Sequence, residues 1–180
     1  MIIIYTGNGK GKTSAALGNV FRALGHGWRV LVVQFMKGDW PIVFGELESA
    51  RRHDRLDILQ LGRGFVKIMG DKKPLSEHRS AARNAMRTAE KKIFSGKYDL
   101  VVLDEVLYAL ETGTPKLLRV EELLKILKGK PKKTHLILTG RIQSAALKKK
   151  IFSRADLVTE MKEIKHPYQQ GFPALKGIDY

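Results

Sequence analysis

The stretch Thr6-Gly7-Asn8-Gly9-Lys10-Gly11-Lys12-Thr13-Ser14 constrains this chain more than any other. It lies between a β-branched run, Ile2 to Thr6, and an Ala- and Leu-rich stretch from Thr13 to about Leu24. An apolar strand, a glycine loop and a helix in that order are the context a phosphate-binding loop requires, which sets this stretch apart from a chance glycine-rich turn. Gly7, Gly9 and Gly11 let the backbone curl so that successive N–H groups point into one concavity. The helix that follows adds its positive end. Lys12 supplies a full charge for phosphate oxygens, and Thr13 offers a hydroxyl to Mg²⁺, a hard ion that prefers oxygen. The standard spacing G-x-x-x-x-G-K-[ST] would put glycine at position 6, where this chain has Thr6, so only Gly11, Lys12 and Thr13 match it strictly. Lys10 is a second cation in the loop, facing either phosphate or solvent.

Val101-Val102-Leu103-Asp104-Glu105 is the second signal. Two carboxylates at the end of an apolar strand, beside a phosphate loop, complete a Mg²⁺ site in such folds. They would emerge at the C-terminal edge of the sheet, where open α/β sheets bind ligands. The competing reading makes Asp104 a helix cap. Thr139-Gly140-Arg141 ends another strand, placing Arg141 at the same edge or simply on the surface. The five histidines have no metal-ligand spacing, so no zinc site is assigned.

The rest of the chain alternates. Trp28 to Gln34 and Leu56 to Leu61 read as strands, and Gly62 to Pro74 as a loop. Ser76 is expected to cap a long helix over Glu77 to Phe94, and Asp99 to Asp104 is the most strand-like segment. A helix follows from about Arg119 to Leu127, then strands at Thr134 to Thr139 and Asp156 to Met161, with an irregular tail beyond Lys162. The expected fold is three-layer α/β, a mostly parallel sheet of about six strands in one nucleotide-binding domain over residues 1–180. Trp28 is expected in the core, Trp40-Pro41 in a substrate-facing loop, and Trp40 and Phe44 as either a stacking surface or loop anchors.

Composition narrows the function classes. At 180 residues, 43% hydrophobic and 28% charged, the chain has enough length to fold without disulfides or structural metal. It has no cysteine, which excludes a thiol nucleophile and thiolate-ligated metal. No signal peptide and no membrane-spanning run are evident, so a cytoplasmic location is expected. The formal charge of +15 attracts nucleotides, nucleic acid or acidic proteins, or reflects only solubility in a lysine-rich proteome. Residues 125–150 hold nine Lys or Arg and no acid, either a docking face or a solvated one.

With these motifs set out, the sequence resembles the ATP:corrinoid adenosyltransferases, the cob(I)alamin adenosyltransferase family with a RecA-like P-loop fold. The resemblance rests on TGNGKGKTSAALG (Thr6 to Gly18), GHGWRVLVVQFMKGDWP (Gly25 to Pro41), VVLDEVLYAL (Val101 to Leu110), LTGR (Leu138 to Arg141) and the tail IKHPYQQGFPALKGIDY (Ile164 to Tyr180). It implies that a reduced corrinoid attacks the 5′ carbon of ATP and expels triphosphate. It also implies ATP along Gly7 to Ser14 with Asn8 as a nucleotide contact, metal at Thr13 and Glu105 with Asp104 behind them, and Lys12 essential. Many relatives carry Gly-Phe-Thr-Trp under the corrin. Here the run is Gly64-Phe65-Val66-Lys67, so Phe65 is kept and Lys67 replaces the tryptophan. Some relatives also have an N-terminal helical lid. With the first strand at Ile2, a more open site, or one ordered by the corrinoid, is expected. The resemblance further implies a homodimer and a flavodoxin-type reductase, with no nucleic acid or membrane partner.

Overall fold

The computed structural model describes residues 1–39, 42–68 and 70–180. Six strands form one sheet: β1 (Ile2–Thr6), β2 (Val30–Gln34), β3 (Leu56–Gln60), β4 (Leu100–Asp104), β5 (His135–Thr139) and β6 (Leu157–Glu160). Their order is β3-β2-β4-β5-β1-β6 and every pair is parallel. The fold class is the expected one. A parallel sheet must be covered on both faces, and the strands show it. β2 and β4 are buried at every position, whereas β6, at the edge, is exposed throughout.

Strand alternation sorts the core into two layers. Leu31, Val33, Val101, Leu103, Leu136 and Leu138 face one side and Val30, Val32, Val102 and Ile137 the other. The second side is covered by α1 (Lys12–Gly25), through Ala16, Val20 and Ala23. On the first side lies α3 (Leu75–Phe94), whose Ala82, Ala85, Met86, Ala89 and Ile93 recur at helical spacing. α4 (Val106–Glu111), α5 (Val120–Gly129) and α6 (Ala145–Phe152) contribute Leu107, Leu123 and Ile151 to that same side. The remaining short helix, α2 (Gly45–Ala50), follows the loop after β2.

Several expectations are corrected. Trp28 is not core. It lies ahead of β2, 37% exposed, and stacks on His135 with ring centroids 5.2 Å apart. Its N–H returns to Ala23 O at 3.0 Å, closing α1 at the sheet rim before the apolar strand begins. Ser76 does not cap α3, which starts at Leu75 after extended Pro74 with no side-chain cap bond. α2 and α6 are not among the expected elements, and α4 figures there only as the helix that Asp104 would cap. α2 and α4 have six residues each, too short for a clear period, and α6 is hidden in a lysine run. The tail contains one 3₁₀ turn, Pro167–Gln170.

At the C-terminal edge the segments leaving β2 and β3 touch. Gly62 N donates to Lys37 O at 2.9 Å. A Cβ on Gly62 would fall 2.2 Å from Phe35 O, so only glycine allows that approach. Among the described residues no helix is long and apolar enough to cross a membrane.

Candidate active site

The phosphate-loop residues converge at the C-terminal edge of β1. Gly7 has φ +101, and a Cβ there would meet Met161 O at 2.3 Å, so the loop lies directly against the chain leaving β6. Gly9 N donates to Met161 O at 2.8 Å and Met161 N to Thr6 O at 2.8 Å. No side chain caps α1, and its first turn holds no acid. The amide donors at its start are therefore left for a ligand. Lys12 is buried, with Nζ donating to Gly7 O (2.9 Å) and Gly9 O (2.8 Å). Burial lowers its pKa, with Arg141 acting in the same direction against Glu105 and Asp104.

One hydroxyl relay ties three elements together. Thr13 Oγ1 donates to Asp104 Oδ1 at 2.8 Å, and Thr139 Oγ1 donates to the same oxygen at 2.7 Å. Thr139 Oγ1 also accepts from Glu105 N at 2.8 Å. β5, between β1 and β4, therefore orients both acids through its last residue. Gln34 Nε2 reaches the other Asp104 oxygen at 3.3 Å. Asp104 does not cap α4. The residue preceding that helix is Glu105, at φ 62. That left-handed conformation costs a non-glycine residue about 1–2 kcal/mol, and such strain gathers at functional sites.

A cleft of about 690 Å³ runs from this edge along α1. Lys10, Gly11, Lys12, Thr13, Ser14 and Glu105 line it on one side, and Lys37, Phe44, Glu46 and Phe65 on another. Asn8 is exposed and is not among the cleft's lining residues. Phe65 packs edge-on against Tyr108 with centroids 5.2 Å apart. Arg141 is exposed, but its charge acts on both Lys12 and Glu105. Lys10 does not face solvent alone, because it ion-pairs with Asp179 of the tail. Gly177 to Tyr180 line the same cleft, so the tail closes over the loop. Phe44 is a loop anchor, 5% exposed beneath the Lys37 ammonium at 4.0 Å, and not a stacking surface. Trp40 and Pro41, expected to touch substrate, lie outside the described residues. The lysines of residues 125–150 lie along the outer surfaces of α5, the following loop and α6.

Sequence reasoning missed the bonds of Thr139 to the acids, the contact of the tail with the loop, and the Lys37–Glu46 pair (2.8 Å). Burial alone would raise Glu46, but Lys37 and Gln34 bring its carboxyl below the usual value. Thr139 stands at the end of a strand-like run, as Asp104 does, and that parallel was its signal.

The sequence model of the family described as ATP:corrinoid adenosyltransferase BtuR/CobO/CobP matches residues 1–180. The chain is a member of that family. It is 36% identical over 180 residues to the corrinoid adenosyltransferase of Escherichia coli (strain K12), covering all of this chain and 85% of that protein. It is 37% identical over 183 residues to the corrinoid adenosyltransferase of a Sinorhizobium species, covering 100% and 80% respectively. Among solved structures, a KaiC-like protein of Pyrococcus horikoshii OT3 superposes with a TM-score of 0.56 at 16% identity, covering 91% of this chain and 73% of that one. That likeness gives the RecA-like P-loop fold. The adenosyltransferase is thus a transferase whose substrates are ATP and a corrinoid.

The donor set fits a hard cation. Thr13 and Glu105 line the cleft and Asp104 accepts from the Thr13 hydroxyl, so one hydroxyl and two carboxylates are at hand, too few to enclose an ion, which suits Mg²⁺ retaining water and phosphate oxygens. Among the described residues no group of three or more His, Cys, Asp or Glu could by itself hold a metal ion.

Burial, and then the adjacent Asp104, push the Glu105 carboxyl up to about 7 from 4.5, against Lys12, Arg141 and Lys37. Between those values the folded protein keeps a proton that the unfolded chain has released. Glu105 therefore makes folded stability fall as pH rises through that window. Melting of the metal-free protein from about pH 5 to about pH 7.5 tests this. Wild type is expected to lose stability relative to Glu105→Gln as pH rises, and parallel curves would contradict the assignment.

Proposed function

We propose that the cleft grips the triphosphate of ATP on the Gly7 to Ser14 loop and leaves the ribose C5′ open to a reduced corrinoid. The C5′–O bond breaks with its electron pair departing on triphosphate, as a Co–C bond forms from the Co(I) lone pair. Cobalt passes formally from +1 to +3 and needs no protein base, so the protein's work is positioning and charge stabilisation. Lys12 leaves its bonds to Gly7 O and Gly9 O for phosphate oxygens, aided by the loop amides and α1. Thr13 and Glu105 would hold Mg²⁺, with Asp104 orienting Thr13. When bound, that ion offsets charge on the departing triphosphate. Lys10, Asn8 and Arg141 contact nucleotide in this reading, and Phe65 underlies the corrin.

The observation carrying the proposal is the uncapped loop-and-helix start, joined by one cleft to Glu105 and Phe65. In a cytoplasmic setting the whole of 1–180 works as one nucleotide-binding domain. Cob(I)alamin or its a,c-diamide precursor is the acceptor. Exposed apolar side chains at Leu157, Val158, Ile164, Phe172 and Leu175 support a homodimer.

Incubation with ATP, Mg²⁺ and chemically reduced cobalamin tests the reaction. Triphosphate and an adenosylated corrinoid are expected, and ADP with phosphate would instead indicate a γ-phosphate ATPase or kinase. Lys12→Ala should lower turnover by at least about a hundredfold, and near-normal turnover would remove the loop from this role.

An acidic flavodoxin-type reductase suits the +15 surface. Raising salt about tenfold should slow reductase-coupled turnover and spare the chemically reduced assay. Equal rates at both salts would exclude electrostatic docking.

A further inference from the structure

The loop between β3 and α3 carries Phe65 and is tied down by a pair of side chains that the proposed reaction does not use. His78, 3% exposed, stands in the first turn of α3, the helix whose Ala82 and Ala85 pack on the sheet. Its Nε2 lies 2.9 Å from Oδ2 of Asp71, whose side chain is itself only 6% exposed. The same Asp71 oxygen accepts from Lys67 N at 3.0 Å, and Oδ1 accepts from Lys73 N at 3.3 Å. One carboxylate thus joins both arms of the loop to the helix.

The hold extends to Phe65. Lys67 stands at φ 56, a conformation a non-glycine residue keeps only when its surroundings impose it. The N–H bonded to Asp71 belongs to that same residue. Ile68 N returns to Phe65 O at 3.4 Å and Asp71 N to Ile68 O at 3.2 Å, so two successive turns link Asp71 to the aromatic ring. Phe65 in turn meets Tyr108 and lines the cleft. Lys73 Nζ lies 3.8 Å from both Asp71 Oδ1 and Asp39 Oδ2, and Arg63 pairs with the same Asp39 oxygen at 2.7 Å, so the loop is also held to the segment after β2.

We propose that His78 is a positioning residue for the corrinoid: through Asp71 it fixes the Lys67 turn and so presents Phe65 to the cleft, setting corrinoid affinity without touching the ATP side. This rests on the reading of Phe65 given above. Buried hydrogen-bonded pairs organise neighbouring backbone because leaving one member unpaired is costly. Here the described residues of that backbone form turns but no helix or strand.

Steady-state kinetics with chemically reduced cobalamin separates the two substrates. His78→Leu and Asp71→Asn should each raise the corrinoid KM about tenfold while the ATP KM stays within about twofold. His78→Gln, which restores a donor near the Nε2 position, should recover most of the loss. In a Phe65→Ala background, His78→Leu should add less than about twofold, because both act on one contact. If His78→Leu does not fold, Asp71→Asn carries the same comparison from the loop side. An unchanged corrinoid KM in the folded variants overturns the proposal, and so do ATP and corrinoid KM values that rise together. A Phe65→Ala enzyme with an ordinary corrinoid KM would remove the underlying reading of Phe65. An effect of Phe65→Ala without one of His78→Leu and Asp71→Asn removes only the role of His78.

Discussion

A loop whose backbone joins no ladder and no helix has to be held by contacts from outside. This dependence shapes the whole C-terminal edge of the sheet. The chain leaving β6 presses on Gly7 and receives Gly9 N, and Lys12 donates to the carbonyls of Gly7 and Gly9. Thr13 anchors the first turn of α1 to Asp104. The all-parallel strand order makes this arrangement available, because it brings the ends of β1, β5 and β4 side by side.

The electrostatics follow from that geometry. Burial, and then the neighbouring Asp104, disfavour the charged form of Glu105. Two threonine hydroxyls donate to Asp104, whereas Glu105 opens on the cleft. Lys12 is pushed the other way by burial. A cation and an anion, each destabilised by desolvation and facing one cavity, favour any ligand that brings the missing opposite charges.

Much of this was legible in the sequence because strands ending in chemistry leave a local mark. The glycine loop after Thr6 and the paired acids after Leu103 are contiguous signals, and the structure brings both to one edge. What was not legible depends on contacts between distant residues. Thr139 matters through Asp104 and Glu105, and the tail through the Lys10–Asp179 pair. Trp28 was misplaced, and Phe44 left open between two roles, for a related reason. An aromatic residue announces apolar area but not which neighbour will cover it, and here His135 and Lys37 do so. The short helices α2 and α4 have too few turns to show a period, and position 78 reads as one more polar residue of α3 until Asp71 is seen beside it.

The central claim concerns orientation: three phosphoryl groups held by the loop with the sugar carbon turned to the cleft. A crystal structure with Mg²⁺, ATP and a corrinoid bound tests it most directly. The account predicts the triphosphate against Gly7 to Ser14, Lys12 released from its carbonyls, and C5′ open toward the Phe65 side of the cleft. A buried C5′ with the terminal phosphorus facing the open cleft would contradict it.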